Sequence, residues 1–159
     1  MLLHKRGAAA VVLCLGVATG SAAAQIRPRF VNPPGLPAPH GYSQLVEVPP
    51  GQRLLYLAGQ VPLDSAGAVV GGTDFRAQAH QVFKNLRTGL AAAGASFADV
   101  VKLNYYIVDM RQLPILREVR DQYVNTAAPP ASTLVEVRRL FRDDVLLEVE
   151  AIAVVGRTQ

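Results

Sequence analysis

The sequence predicts a single α+β domain, a mixed β-sheet with two helices packed on one face. Three observations lead there. One long stretch repeats apolar residues at helical spacing, while shorter stretches alternate or run apolar as strands do. Their order along the chain is β-β-(β)-α-β-α-β-β. Once an N-terminal leader is set aside, about 135 residues remain, enough for one real core and too few for two.

Taken in order, Gln25 to His40 is rich in proline and arginine and lacks periodicity, so it reads as an extended arm. Tyr42 to Val48 alternates, Pro49-Pro50-Gly51 makes a turn, and Leu54 to Ala58 is a short apolar run; together they suggest a β-hairpin. Ala68 to Val70 offers an optional third short strand after the turn at Ser65-Ala66-Gly67. Thr73 or Asp74 caps the first helix, along which Ala79, Val82, Phe83, Leu86, Leu90 and Ala93 recur before Gly94 stops it. A capped turn at Ser96–Asp99 leads into a strand, Val101 to Val108, with apolar residues alternating against Lys102 and Asn104. Pro114 opens a second helix that runs to about Val124. Pro129-Pro130 breaks the chain before two final strands joined by a polar turn. A sheet covered on one face leaves the other in need of cover, which self-association supplies.

The leader is read from Lys5 and Arg6, the apolar run Gly7 to Val17, and Ala22-Ala23-Ala24 before Gln25, the three-part pattern of a cleaved secretory signal. The apolar run is shorter than the ~20 residues that span a bilayer, and the residues before Cys14 do not fit a lipid-anchor site. The expected organisation is a leader at 1–24, an arm at 25–39 and a domain at 40–157, in a periplasmic or secreted protein with no membrane attachment after cleavage. Cleavage removes the only cysteine and lowers the formal charge from +4 to +2. No basic stripe with interleaved aromatics is present, which argues against a nucleic-acid partner. His40 and His80 stand apart without a spacing partner, so no metal site is expected. No phosphate loop or Ser-His-Asp set is visible.

The most telling segment is Pro130 to Val155, where Glu148 and Glu150 sit inside an apolar strand. Carboxylates there are costly unless paired or used. With Gly41-Tyr42-Ser43-Gln44, Ala58-Gly59-Gln60-Val61-Pro62, Asn85-Leu86, Gly94, Asp99-Val100-Val101-Lys102 and Asp109-Met110, this segment closely resembles the RidA (YjgF) family of reactive intermediate deaminases. The resemblance spans roughly Pro39 to Val155. It implies a chorismate-mutase-like fold, a homotrimer with clefts between subunits, no metal and no cofactor. The implied activity is hydrolysis of enamines and imines of 2-amino acids to 2-oxo acids and ammonia.

Carried over residue by residue, the resemblance makes Glu148 the carboxylate that positions or activates water, Tyr42 a cleft tyrosine and Gly59 a backbone contact. Tyr42 also reads as an ordinary strand aromatic, Gly59 as a tight-turn glycine, and either glutamate as a partner of a surface arginine. Ser132 stands where the family's signature has the arginine that binds the substrate carboxylate, Ala58 where serine is common, Arg117 where asparagine is frequent, and Leu134 where a small residue or cysteine is frequent. A serine hydroxyl donates one hydrogen bond and carries no charge. Two expectations follow. One is an exported protein that binds a small molecule, with a carboxylate ligand in view, in intersubunit clefts. The other is a deaminase with a relocated arginine, Arg117 being preferred over Arg120 and Arg138. A third, an interaction protein using the proline-rich arm, rests on composition alone.

Overall fold

The computed structural model describes residues 27–156, so the leader read at 1–24, with Cys14, lies outside the described residues. The elements are β1 (Arg29–Val31), β2 (Leu45–Glu47), β3 (Arg53–Gln60), α1 (Phe75–Ala92), β4 (Val100–Ile107), α2 (Leu113–Arg120), β5 (Ala131–Glu136) and β6 (Leu147–Val155). Four strands form one mixed sheet in the order β3-β6-β4-β5, with β6 antiparallel to both neighbours and β4 parallel to β5. This is the α+β arrangement expected.

Helix α1 forms where its apolar spacing predicts. The Asp74 carboxylate caps it, accepting from the amides of Arg76 (2.9 Å) and Ala77 (3.2 Å). Its inner face, from Phe75 through Val82, Phe83 and Leu86 to Leu90, is buried against Leu103, Ile107, Leu147, Val149 and Ala151 of the sheet. Gly94, at φ +71°, turns the chain out of the helix. Helix α2 is shorter than its expected span to Val124, with Pro114 in its first turn, and packs on α1.

The N-terminal strands differ from the expectation. Tyr42–Val48 and Leu54–Ala58 do not form a hairpin. Instead β2 pairs antiparallel with β1, which lies in the proline-rich segment, and β3 extends to Gln60 and pairs with β6. The physical reason lies in Pro49-Pro50: neither carries the N–H that a ladder beside the turn requires. Ala68–Val70 contributes a single bridge, Leu63 to Val69, rather than a strand. The final two strands are not neighbours either, since β4 lies between them.

One buried polar side chain ties these parts together. Gln78, fully buried on α1, donates to the carbonyls of Gly72 (2.6 Å) and Asp144 (2.7 Å) and accepts from the Leu146 amide (2.9 Å). It thereby fixes the loop entering α1 and the loop entering β6 to the same helix. Gln78→Ala removes three part-buried hydrogen bonds to the backbone and opens a void in the core, so a loss of about 2–4 kcal/mol is expected in urea unfolding. A loss under about 1 kcal/mol would contradict this role.

Candidate functional site

Ser43 sets the geometry at the β5 edge. Its amide donates to the Pro130 carbonyl (3.2 Å) and its hydroxyl to the Pro129 carbonyl (2.7 Å), and it bridges Ala131 in parallel. This brings Tyr42 beside Ser132. Both line a cavity of about 400 Å³, walled by α2 and the β5 edge, together with Arg117, Arg120, Tyr105 and Leu134. Three of the expected site residues, Tyr42, Arg117 and Ser132, therefore share one cavity.

Arg120 lines the same cavity as Arg117. It is 9 % exposed, and its Nε and Nη2 reach the Asp121 carboxylate at 2.8 and 2.7 Å. Its burial was readable, because Leu116 and Arg120 are one turn apart on the apolar side of α2. Tyr105 is an inward-facing residue of β4. Its ring is core, and its buried hydroxyl faces the Arg120 guanidinium, with no acceptor for its proton among the described residues. Burial raises the Tyr105 pKa, with the Arg120 guanidinium opposing, and holds the phenol neutral. Arg138 lies elsewhere, in the loop between β5 and β6 beside Arg139 and Arg142.

Glu148 and Gly59 meet in a different place. A Cβ added at Gly59 would overlap Glu148 Oε1, so the glycine is what lets the carboxylate lie against β3. The loop after Gly59 is held by Asn85 of α1, whose amide donates to the carbonyls of Val61 and Leu63, each at 2.9 Å. Glu150 accepts from Asn104 (2.6 Å) and Tyr106 (3.1 Å), and is thereby tied to β4. Glu148 has no such bond among the described residues. Partial burial, and then the Glu150 charge, raise its pKa above the usual carboxylate value.

The two groups lie on opposite faces of the sheet. On β4, Leu103, Tyr105 and Ile107 are buried toward the helices, while Lys102, Asn104 and Tyr106 point away. Ser132 is the ladder partner of Leu103, and Glu148 that of Tyr106. Laterally paired residues share a face, so Ser132 is on the helix side and Glu148 on the open side. The open side also carries Tyr56, 75 % exposed, with Leu54 and Val135. Among the described residues no group of three or more His, Cys, Asp or Glu is placed to hold a metal ion. No described helix is long and apolar enough to cross a membrane.

The family model described as Endoribonuclease L-PSP matches residues 35–155. A RutC family protein of Pyrococcus horikoshii is 41 % identical over 119 residues, covering 74 % of this chain and 90 % of that protein. A protein of Dermatophagoides farinae named 2-iminobutanoate/2-iminopropanoate deaminase is 31 % identical over 128 residues, covering 80 % of this chain and 96 % of its own. Among solved structures, YyfB of Yersinia pestis, a Rid family protein of unknown function, superposes with a TM-score of 0.72 at 34 % identity, covering 82 % of this chain and all of that one.

The raised Glu148 pKa has a signed consequence for stability. A carboxyl that holds its proton more tightly folded than unfolded contributes stability below the unfolded pKa, and loses it as pH rises through the folded value. Glu148→Gln removes that loss. The variant is expected to melt above wild type at neutral pH, the gap closing as pH falls below about 4. A gap that widens with acid in a melting-temperature series would contradict the environment described.

Proposed function

The chain belongs to the RidA (YjgF/RutC) family, and on that footing we propose that it binds a small carboxylate-bearing metabolite in clefts between copies of itself, as an exported homotrimer. The observation that carries this reading is the division of the candidate residues between the two faces of one sheet. Tyr42, Ser132, Arg117 and Arg120 belong to the helix-side cavity, while Gly59 and Glu148 belong to the open face. One chain cannot fold them into a single site, and a neighbouring copy seated on the open face can bring the halves together. The exposed Leu54, Tyr56 and Val135 favour such a contact, because apolar side chains grouped around polar ones mark interaction surfaces. The export component rests on the leader pattern alone.

A second reading, hydrolysis of 2-imino acids or their enamines, is favoured by Glu148 itself. A carboxylate without an internal partner and with a raised pKa suits a general base. In this scheme Glu148 takes a proton from water as the oxygen attacks the carbon of the protonated imine, giving a neutral carbinolamine. It then returns that proton to nitrogen; as the C–N bond breaks and ammonia leaves, the carbinolamine hydroxyl gives its proton to Glu148, and the 2-oxo acid forms. Ser132 supplies no charge for the substrate carboxylate, so a cation elsewhere in the cavity has to.

Sedimentation velocity and calorimetry test both readings. Wild type is expected to sediment as a trimer and to bind 2-oxobutanoate, the product that hydrolysis of 2-iminobutanoate gives. Tyr56→Glu is expected to yield folded monomers that no longer bind it. A monomeric wild type that binds 2-oxobutanoate would overturn the intersubunit site. For the second reading, ammonia release from freshly generated 2-iminobutanoate should fall about 100-fold in Glu148→Gln; equal rates would leave the protein a binder only.

A further inference from the structure

We propose that the cavity beside α2 is a carboxylate subsite anchored by Arg120, with the Tyr105 hydroxyl as its second donor. The inference rests on the small-molecule reading above and identifies the group that stands in for a guanidinium at position 132.

Two donors converge there without an acceptor for both. The bonds from Arg120 to Asp121 run from Nε and Nη2, and Nη1 takes no part in them. The Tyr105 hydroxyl, in a residue 3 % exposed, faces the Arg120 guanidinium, which can only donate to its oxygen, so the phenol proton is left without an acceptor among the described residues. Leaving a buried hydroxyl proton without an acceptor is costly, and one carboxylate spanning Arg120 and Tyr105 removes that cost. Burial keeps the phenol protonated, hence able to donate.

The surroundings hold the arginine in place. Gly41 lies against it at φ +79°, and any Cβ there would overlap Arg120 Nη2. Arg117, three residues earlier on α2, lines the same cavity and offsets the Asp121 charge, so the site favours an anion. Leu113, Leu116 and Leu134 give the cavity an apolar wall. Together these select a short-chain aliphatic acid, with its carboxylate on Arg120 and its alkyl group on the leucines.

Isothermal titration of the purified full chain with 2-oxobutanoate, and with 2-oxobutanamide as a neutral isostere, tests the assignment. Arg120→Gln is expected to weaken 2-oxobutanoate binding about 30-fold, and Tyr105→Phe about 5-fold, with little change for the amide. Arg117→Gln should weaken it less than Arg120→Gln does. Gly41→Ala displaces Arg120 without removing it, and should reproduce the Arg120→Gln loss even if that variant folds poorly. Unchanged affinity in folded Arg120→Gln or Gly41→Ala, or a larger loss in Arg117→Gln, would overturn the Arg120 anchor while leaving the small-molecule reading intact. Failure of wild type to bind 2-oxobutanoate would overturn both.

Discussion

The register of β6 between β3 and β4 is the constraint on which the rest of this structure depends. Its odd-numbered residues from Leu147 to Ala153 meet the helices, and this burial supplies much of the core. The same alternation commits Glu148 and Glu150 to the opposite face. A slip of one residue would bury two carboxylates and expose the core side chains together, so the register is strongly specified. Gln78 reinforces it from α1 by bonding to both backbone groups that lead into the strand.

From that constraint the division of the candidate site follows. Glu150 is satisfied by Asn104 and Tyr106 within the sheet, whereas Glu148 reaches over Gly59 and keeps its oxygens unbonded among the described residues. On the other face the β5 edge carries Ser132, where no charge is available, and α2 presents Arg117 and Arg120 instead. The likeness to Rid proteins explains the architecture. The charge in this cavity comes from residues that the signature alone does not reveal.

Much of this was legible in the sequence. The period of α1, the alternation of β4 and the placing of Glu148 inside an apolar strand each follow from local pattern, and each is found in the structure. Strand pairing was not legible where it depended on distant partners. β2 chose β1 over β3 because Pro49-Pro50 cannot serve a hairpin ladder, and β6 inserted between β3 and β4. In the cavity, Tyr42 and Ser132 were singled out by motif, but their meeting depends on Ser43 bonding across to Pro129 and Pro130. The burial of Arg120 follows from its spacing from Leu116, which places it on the buried side of α2.

A crystal structure of the protein soaked with 2-oxobutanoate tests the central claim most directly. The account predicts the acid between two copies of the chain, with its carboxylate against Arg120 and Tyr105 of one and its oxo carbon facing Glu148 of the next. A ligand held within one chain away from Arg120, or copies that leave the open face of the sheet bare, would contradict it.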